Sequence, residues 1–277
     1  MPIYGRWMRS EHRFDDLFLV EPTGADERFR ADPPGDGFLF GGLTMALLLE
    51  AAGRTVAPGL QPKSLHALFL NHGRWGPTLE LPIERLTDSR AFATRRIAAE
   101  QGGKTIVSGL ATFHIPEPGD DWQEPMPDVP PPESLEARPA RFGSGSDPIE
   151  TRPTEVSAPG FSEVIHPYWA RARHGLPADD LLRWSALLFT TDYMVIGTPF
   201  PRGTRSGEHM VSRTLEHSVW FHRPVLDDDW LLFACDAATV VGGRYLSRGT
   251  VHDRGGRLLA SFAQQGMIRP VTETPAP

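Results

Sequence analysis

The chain repeats one pattern, a helical segment followed by four strand-like segments, and this repeat limits the possible folds more than any other feature. Gly102-Gly103, between two strand-like segments, recurs 153 residues later as Gly255-Gly256. The same spacing matches Phe92 with Tyr245, Arg95 with Arg248, Lys104 with Arg257, and Ser108 with Ser261. A hairpin that returns together with its flanking residues indicates duplication of a whole unit. The alternative is that unrelated hairpins share glycine and arginine.

The first copy begins with a helix predicted at about 42–56, where apolar residues occupy nearly every face. A helix of this kind is buried. At the start of this helix, Gly41 and Gly42 allow a close approach of the chain, and Pro58-Gly59 ends the helix. Strand-like segments follow at 63–70, 78–86, 91–100 and 104–115, each bounded by turn residues.

The second copy begins with a helix predicted at 181–196, with Asp179 or Asp180 as its N-cap. Strand-like segments follow at 211–221, 230–240, 244–252 and 257–268. Between the copies, the sequence is rich in Pro, Gly, Ser and acidic residues, which is typical of a linker. The predicted parts are an N-terminal half (1–115), a linker (116–150) and a C-terminal half (151–277).

Each copy thus predicts one long buried helix with a mostly antiparallel sheet wrapped around it, which is the hotdog arrangement. Two such units predict an α+β double hotdog, in which tandem halves are related by a pseudo-two-fold axis. Pairing the halves within one chain joins their sheets and removes an exposed edge from each. The fold alone does not identify a reaction.

The charge and the single cysteine exclude several classes of protein. The net charge is −7 and is spread along the chain, which argues against nucleic acid or an anionic membrane as the main partner. Cys235 has no second cysteine to pair with and lies in an apolar segment, so we expect a small buried side chain in a reducing compartment. No signal peptide and no apolar stretch of about 20 residues is present, so we expect a cytoplasmic protein without a membrane span.

Several common catalytic signatures are absent from the sequence. It contains no Gly-x-Ser-x-Gly, no Gly-x-Gly-x-x-Gly, no Walker loop and no His-Glu-x-x-His. His217 and His222 are five residues apart in one strand-like segment, which places them on opposite faces. We therefore expect no metal and no cofactor.

Three polar residues are candidates for chemistry. Asp192 lies four residues after Leu188 on the apolar stripe of the second helix, where a carboxylate is costly unless it has a partner. Gln264 follows Ala260 and Phe262 on one face of the last strand. The alternatives are a solvated Asp192 on a rotated helix and a strand that ends before Gln264. Thr214 is less distinctive, because threonine is common in strands.

Three segments resemble the acyl-CoA thioesterase II family, bacterial medium- and long-chain enzymes that are related to peroxisomal thioesterases. They are 64–70 with Phe40-Gly41-Gly42 before it, 88–103, and 215–224 continuing to 264–269. The most specific motif is His-Ser-Val-Trp-Phe-His-Arg-Pro, at 217–224. The resemblance covers most of the chain outside the linker and the two ends, and it implies a double hotdog fold.

The resemblance also implies an activity and a set of site residues. The activity is hydrolysis of medium- or long-chain fatty acyl-CoA to fatty acid and CoA, a reaction of lipid metabolism. The catalytic Asp, Ser or Thr, and Gln of the family fall on Asp192, Thr214 and Gln264, which would position a water molecule. Substrate-binding residues would be Gly41, Gly42 and His66. Asp192 could act as a general base or only hold the water.

Two alternative functions remain open at this point. One is another hotdog enzyme, such as an enoyl-CoA hydratase, but such enzymes usually have an Asp and a His in a short motif after the helix start, and Asp192 has no such neighbour. The other is a non-catalytic protein that binds an acyl ligand. We expect only the C-terminal half to be catalytic, because Ala111 stands 153 residues before Gln264 and Glu50 is the sole acidic residue of the first helix.

Fused hotdogs still have exposed sheet edges and apolar faces, so we expect the protein to form a homodimer or a larger homo-oligomer. Light scattering at micromolar concentration should give at least twice the 30.7 kDa mass of one chain. A monomer under these conditions would contradict the expectation.

Overall fold

In a computed structural model, the described residues are 13–25, 27–33, 37–137, 148–154, 167–198, 210–227 and 229–270. They form one 12-stranded antiparallel sheet and few helices. The helices are α1 (Phe14–Leu17), α2 (Gly41–Gly53) and α3 (Asp180–Thr191). The strands are β1 (Glu21–Pro22), β2 (Arg28–Ala31), β3 (Gln61–Phe69), β4 (Leu79–Asp88), β5 (Phe92–Gln101), β6 (Lys104–His114), β7 (Ile149–Pro153), β8 (Tyr168–Ala172), β9 (Met210–Phe221), β10 (Leu231–Val241), β11 (Arg244–Asp253) and β12 (Leu258–Pro270).

The strand order has the same form when read from either edge of the sheet. It runs β1-β2-β4-β5-β6-β3-β9-β12-β11-β10-β8-β7. The two central strands, β3 and β9, belong to different copies of the repeat and pair antiparallel, with Ser64 opposite Trp220 and Leu68 opposite Glu216. This pairing joins two half-sheets, so each loses one exposed edge.

The two long helices lie next to each other and share one apolar core. Helix α2 also contacts β3, β4, β5 and β6. The contact between the helices is close at both ends: a Cβ atom on Gly42 would lie 2.5 Å from the carbonyl oxygen of Phe189, and one on Gly53 would lie 2.6 Å from the side chain of Leu181. The start of α2 therefore lies beside the end of α3, at a distance that only glycine permits.

The second long helix ends earlier than its sequence pattern predicts. We expected it to reach residue 196, but α3 ends at Thr191 and Asp192 is its C-cap. Met194 then adopts a left-handed backbone conformation with φ of 66°, which interrupts the helix before a 3₁₀ turn at Val195–Gly197. Asp192 thus lies at the end of the helix and not inside it.

The two hairpins are not related by a single spacing of 153 residues. Ala111 and Gln264 are 153 residues apart, and the structure places Arg95 opposite Ala111 and Ser247 opposite Gln264. The counterpart of the buried Arg95 is therefore Ser247, whereas the predicted counterpart, Arg248, is exposed. Between equivalent positions of its two strands, the hairpin of β11 and β12 contains one residue more than the hairpin of β5 and β6. The spacing between equivalent residues is therefore 153 along the second strand but 152 along the first.

Part of the predicted linker packs against the second half of the sheet. Residues 115–137 contain no strand, only a 3₁₀ turn at Pro132–Ser134. Met126, Val129 and Leu135 pack on a small second core of Trp169, Trp230 and Leu232. Residues 138–147 lie outside the described part of the chain, and the last two residues of the predicted linker, 149 and 150, already belong to β7. None of the described helices is long and apolar enough to cross a membrane.

The structure identifies Asp179 as the N-cap of α3, because one of its carboxylate oxygens accepts hydrogen bonds from the N–H groups of Leu181 and Leu182 at 2.8 and 3.1 Å. We expect Asp179→Ala to lower the free energy of unfolding by about 0.5–2 kcal/mol. Asp180→Ala is the matched control, because that side chain is 90% exposed and caps nothing. Equal losses in the two variants, measured by urea unfolding, would contradict the assignment.

Candidate active site

Asp192 is a buried carboxylate at the junction of the two long helices. Its exposed fraction is 6%. The side chain lies within hydrogen-bonding reach of the Gly42 backbone N–H and of the Thr214 hydroxyl. The first N–H groups of a helix have no partner within the helix and carry partial positive charge, so the first turn of α2 favours a negative charge here. The Asp192 carboxylate is thus approached by one group from each half of the chain, the Gly42 N–H and the Thr214 hydroxyl.

Burial raises the pKa of Asp192 from 3.8 to about 7, although its hydrogen bonds with Gly42 and Thr214 act in the opposite direction. Removal from water therefore outweighs the two hydrogen bonds. A carboxylate with this pKa can accept a proton at neutral pH and can also release it, which an ordinary surface aspartate does much less readily.

A β-bulge in β9 places Thr214 beside Asp192. Gln265 pairs with Glu216 and the next residue, Gly266, pairs with Thr214, so Leu215 is an extra residue in the strand. Without a bulge, Thr214 and His217 would lie on opposite faces of the sheet, because they are three residues apart. The bulge brings both side chains to the core face.

Gln264 lies in β12 opposite His217, and both side chains are fully buried. The side-chain amide nitrogen of Gln264 donates to Thr214 Oγ1 at 3.2 Å and to the hydroxyl of Tyr245 at 3.1 Å. Its side-chain oxygen lies 2.8 Å from Nδ1 of His217. On the other side of the imidazole ring, Nε2 lies 3.0 Å from Thr191 Oγ1. Burial lowers the pKa of His217 to about 4, so the ring is neutral at physiological pH.

A cavity of about 560 Å³ lies in front of Asp192 and Thr214. Its lining is mainly apolar and includes Phe38, Leu39, Phe40, Phe69, Ile106, Ile196 and Met267. Gln264 and His217 do not line it and lie behind Thr214. The cavity therefore combines a mainly apolar wall with the Asp192 carboxylate and a few other polar side chains, among them Ser212, Arg213 and Thr214, which is the composition of a site for a largely apolar ligand.

The structure brings all five residues singled out in the C-terminal half and at the start of α2 to this cavity or directly behind it. Gly41 lines the cavity, and a Cβ atom at this position would lie 2.7 Å from Asp192 Oδ2. Gly42 is the residue whose N–H faces Asp192. The sequence did not predict His217 and Tyr245 as members of the network. For His217 there was a usable signal, because it is the first residue of the most specific motif, 217–224.

His66 is the exception among the expected substrate-binding residues. Its neighbours Leu65 and Ala67 take the core face of β3, so the side chain of His66 lies on the opposite face of the sheet. There it packs edge-on against Trp220, with ring centroids 5.3 Å apart. His66 therefore does not line this cavity, and its contact with the substrate stays a prediction.

In the described part of the first half, the corresponding positions hold no equivalent of the polar network. Leu65 is opposite Ala111 in β3 and β6, the positions that correspond to His217 and Gln264 in β9 and β12. The buried carboxylate of α2, Glu50, instead pairs with Arg54 at 2.7 Å. Among the described residues, no group of three or more His, Cys, Asp or Glu side chains is arranged to hold a metal ion.

Comparisons with known proteins agree on one family. Models of the N-terminal and C-terminal domains of acyl-CoA thioesterases match residues 30–114 and 115–268. Acyl-coenzyme A thioesterase 8 of Homo sapiens is 30% identical over 258 residues, which cover 83% of this chain and 80% of that protein. The crystal structure of an acyl-CoA thioesterase II from Mycobacterium marinum has a TM-score of 0.79 and 30% identity, covering 95% of this chain and 99% of that one. A hot dog fold protein from Alicyclobacillus acidocaldarius, 22% identical, has a TM-score of 0.73 over 94% and 99% of the two chains, which confirms the fold.

The raised pKa of Asp192 predicts a pH-dependent effect of removing its charge. In the window between about pH 4 and pH 7 the folded state binds more protons than the unfolded state, so stability falls as the pH rises through it. Asn has no carboxylate to ionise, so the Asp192→Asn variant does not lose stability in this pH window. We expect the variant to be more stable than the parent protein by about 1–4 kcal/mol at pH 8, with little difference near pH 4.

Urea unfolding of both proteins at pH 5 and pH 8 measures this difference. Asp180→Asn is the control, because that side chain is exposed and should show no comparable change between the two pH values. A less stable Asp192→Asn protein at pH 8 would mean that the charge of Asp192 holds the structure together.

Proposed function

The chain belongs to the acyl-CoA thioesterase family, and we propose that it hydrolyses medium- or long-chain fatty acyl-CoA with Asp192, Thr214 and Gln264 at its catalytic centre. As a member of this family it is a thioester hydrolase. The observation that carries the proposal is the buried carboxylate of Asp192, which has a pKa of about 7 and lines an apolar cavity. Such a group is a base that works at neutral pH.

Asp192 and Thr214 are the two polar side chains that we propose hold the attacking water. Both line the cavity and they lie within hydrogen-bonding reach of each other. Gln264 acts through Thr214 in this arrangement, because its amide N–H groups donate to the hydroxyl oxygens of Thr214 and Tyr245. This leaves the hydrogen of the Thr214 hydroxyl for Asp192 or for the water.

In the proposed reaction, the water oxygen attacks the carbonyl carbon of the thioester while its proton moves to the Asp192 carboxylate. The carbonyl oxygen becomes an oxyanion. Gly41 lines the cavity in the first turn of α2, where backbone N–H groups have no helical partner, and its N–H would stabilise this charge. The carbon–sulfur bond then breaks, the fatty acid is released, and Asp192 returns the proton to the sulfur of CoA.

The two ends of the substrate would meet different parts of the site. Phe40, Phe69 and Ile106 in the cavity lining suit an acyl chain. Arg213 also lines the cavity, and its guanidinium lies 5.5 Å from the centre of the Phe38 ring, with that of Arg74 at 5.6 Å from the same ring. These cations would contact the phosphate groups of CoA.

We propose in addition that the sheet of each half wraps around its own long helix; for the first half, the contacts of α2 with β3, β4, β5 and β6 support this. The division into 1–115, 116–150 and 151–277, the homo-oligomeric state and the cytoplasmic location stay predictions.

A panel of acyl-CoAs of increasing chain length tests the activity, with release of the CoA thiol followed by a thiol-reactive dye. We expect turnover to be highest for medium or long chains, because the cavity lining is apolar. An enoyl-CoA hydratase would consume an enoyl-CoA without releasing thiol, and a binding protein would release none from any substrate. No thiol release from any member of the panel would refute the proposed function.

Variants of the three residues test the catalytic centre. We expect Asp192→Asn, Thr214→Val and Gln264→Ala each to lower kcat by about 10²–10⁴-fold, with losses that do not multiply when combined. In the parent protein, kcat/KM should rise with pH and level off above the pKa of Asp192, near pH 7. Glu50→Gln is the matched control, because Glu50 is a buried carboxylate on the other long helix. We expect this variant to keep substantial turnover.

A further inference from the structure

Five polar side chains form a network that reaches the wall of the cavity, and all of them except the partly buried Thr214 are buried. It runs from Thr191 through His217 and Gln264 to Thr214 and Asp192. Only its last two members line the cavity. A neutral imidazole has one donor and one acceptor nitrogen, so the position of its single proton constrains every other donor in the chain.

With the proton on Nδ1, every contact from His217 to Asp192 is satisfied, while the single hydrogen of the Thr191 hydroxyl goes to Nε2 and not to the carbonyl oxygen of Leu188 at 2.7 Å. His217 then donates to the side-chain oxygen of Gln264 at 2.8 Å, and its Nε2 accepts from the hydroxyl of Thr191. The two amide hydrogens of Gln264 go to Thr214 Oγ1 and to Tyr245. Thr214 already accepts one hydrogen, so its own hydrogen is available to Asp192.

With the proton on Nε2, the hydrogen bonds of the network point in the opposite direction. His217 would donate to Thr191, whose hydroxyl would then donate to the carbonyl oxygen of Leu188 at 2.7 Å. The lone pair on Nδ1 would face the side-chain oxygen of Gln264, and two acceptors at 2.8 Å repel each other. The amide would have to turn over, and its oxygen would take the hydrogen of Thr214 that otherwise points to Asp192.

We propose that His217 is a positioning residue for thioester hydrolysis: with its proton on Nδ1 it fixes the Gln264 amide so that the Thr214 hydroxyl donates to Asp192 or to the attacking water. This inference rests on the proposed roles of Asp192, Thr214 and Gln264. His217 itself touches neither the cavity nor the substrate, and it acts only through Gln264.

The first half of the chain shows that the fold does not need a polar pair at this place. Leu65 and Ala111 occupy the corresponding positions on neighbouring strands, and both are fully buried. An apolar pair is therefore compatible with the same packing between helix and sheet. The desolvation of an imidazole and an amide in the second half requires a reason other than folding.

Three substitutions of His217 separate positioning from packing. His217→Leu introduces the side chain that the first half has at this point, and we expect a folded protein in which kcat falls about 10–10²-fold while KM changes little. His217→Asn places an amide N–H near the former Nδ1 and should recover most of kcat. His217→Gln places its amide near the former Nε2, within reach of Thr191 but not of Gln264, and should stay low.

A matched control is His252→Leu. His252 is also buried in the sheet, and neither of its ring nitrogens has a hydrogen-bond partner among the described residues. His252→Leu is the same substitution of a buried histidine, but it leaves the hydrogen bonds between Thr191 and Asp192 unchanged. We expect its kcat to equal that of the parent protein.

A double-mutant cycle separates failure of this inference from failure of the proposed function. If His217 acts through Gln264, adding His217→Leu to Gln264→Ala should cause no further loss of kcat. Full activity in Gln264→Ala alone would overturn the catalytic centre itself. An impaired Gln264→Ala protein combined with a fully active His217→Leu protein, or with losses that multiply, would overturn the role of His217 alone.

The tautomer can be measured in the parent protein, so the test does not depend on any variant that folds. Nitrogen-15 NMR of histidine-labelled protein distinguishes a protonated ring nitrogen from one with a lone pair. The resonance of His217 can be assigned through its contact with the Phe262 ring, 5.9 Å away. A proton on Nδ1 supports the proposal, and a proton on Nε2 overturns it.

Discussion

The pairing of β3 with β9 determines where every other part of the site lies. It joins two half-sheets at their centre, and the two long helices consequently pack side by side with opposite directions. The first turn of α2 then meets the end of α3, which is why the N–H of Gly42 can reach the carboxylate of Asp192. The cavity is therefore built from both halves, although its titratable group comes from one. Neither half would contain a complete site by itself.

Electrostatics and packing act against each other at Asp192. The carboxylate has lost most of its hydration, and the Gly42 amide and the Thr214 hydroxyl compensate for only part of the loss. The uncompensated part appears as the raised pKa, which is also what makes the group useful as a base near neutral pH. The same dry environment requires that Gln264 and His217 have partners for each donor and acceptor, and the strands β9, β11 and β12 supply them together with Thr191 of α3.

Hydrophobic periodicity was sufficient to predict the long helix and the four strands that follow it in each copy, because burial of one face is a local property of each segment, but it did not predict the two short strands that precede each long helix. Asp192 and Gln264 could be recognised for the same reason, since each is a polar residue at an apolar position. Thr214 could not be found by alternation, because the bulge at Leu215 reverses the two faces of β9 beyond it. Sequence alone does not say which face of β3 meets the helix, so it could not show that His66 lies away from the cavity, and the end of α3 was missed because it depends on the backbone of Met194.

The unequal pairs at the centre of the sheet show what fusion into one chain permits. In a homodimer of identical units, any substitution that introduces a buried histidine and glutamine appears twice, and both copies must accommodate the desolvated groups. In a fused chain the two copies diverge independently under selection. Here one copy has Leu65 beside Ala111 and the other has His217 beside Gln264. Such a division of labour lets the first copy keep an apolar pair at this place, while the second retains the less stable arrangement that reactivity demands.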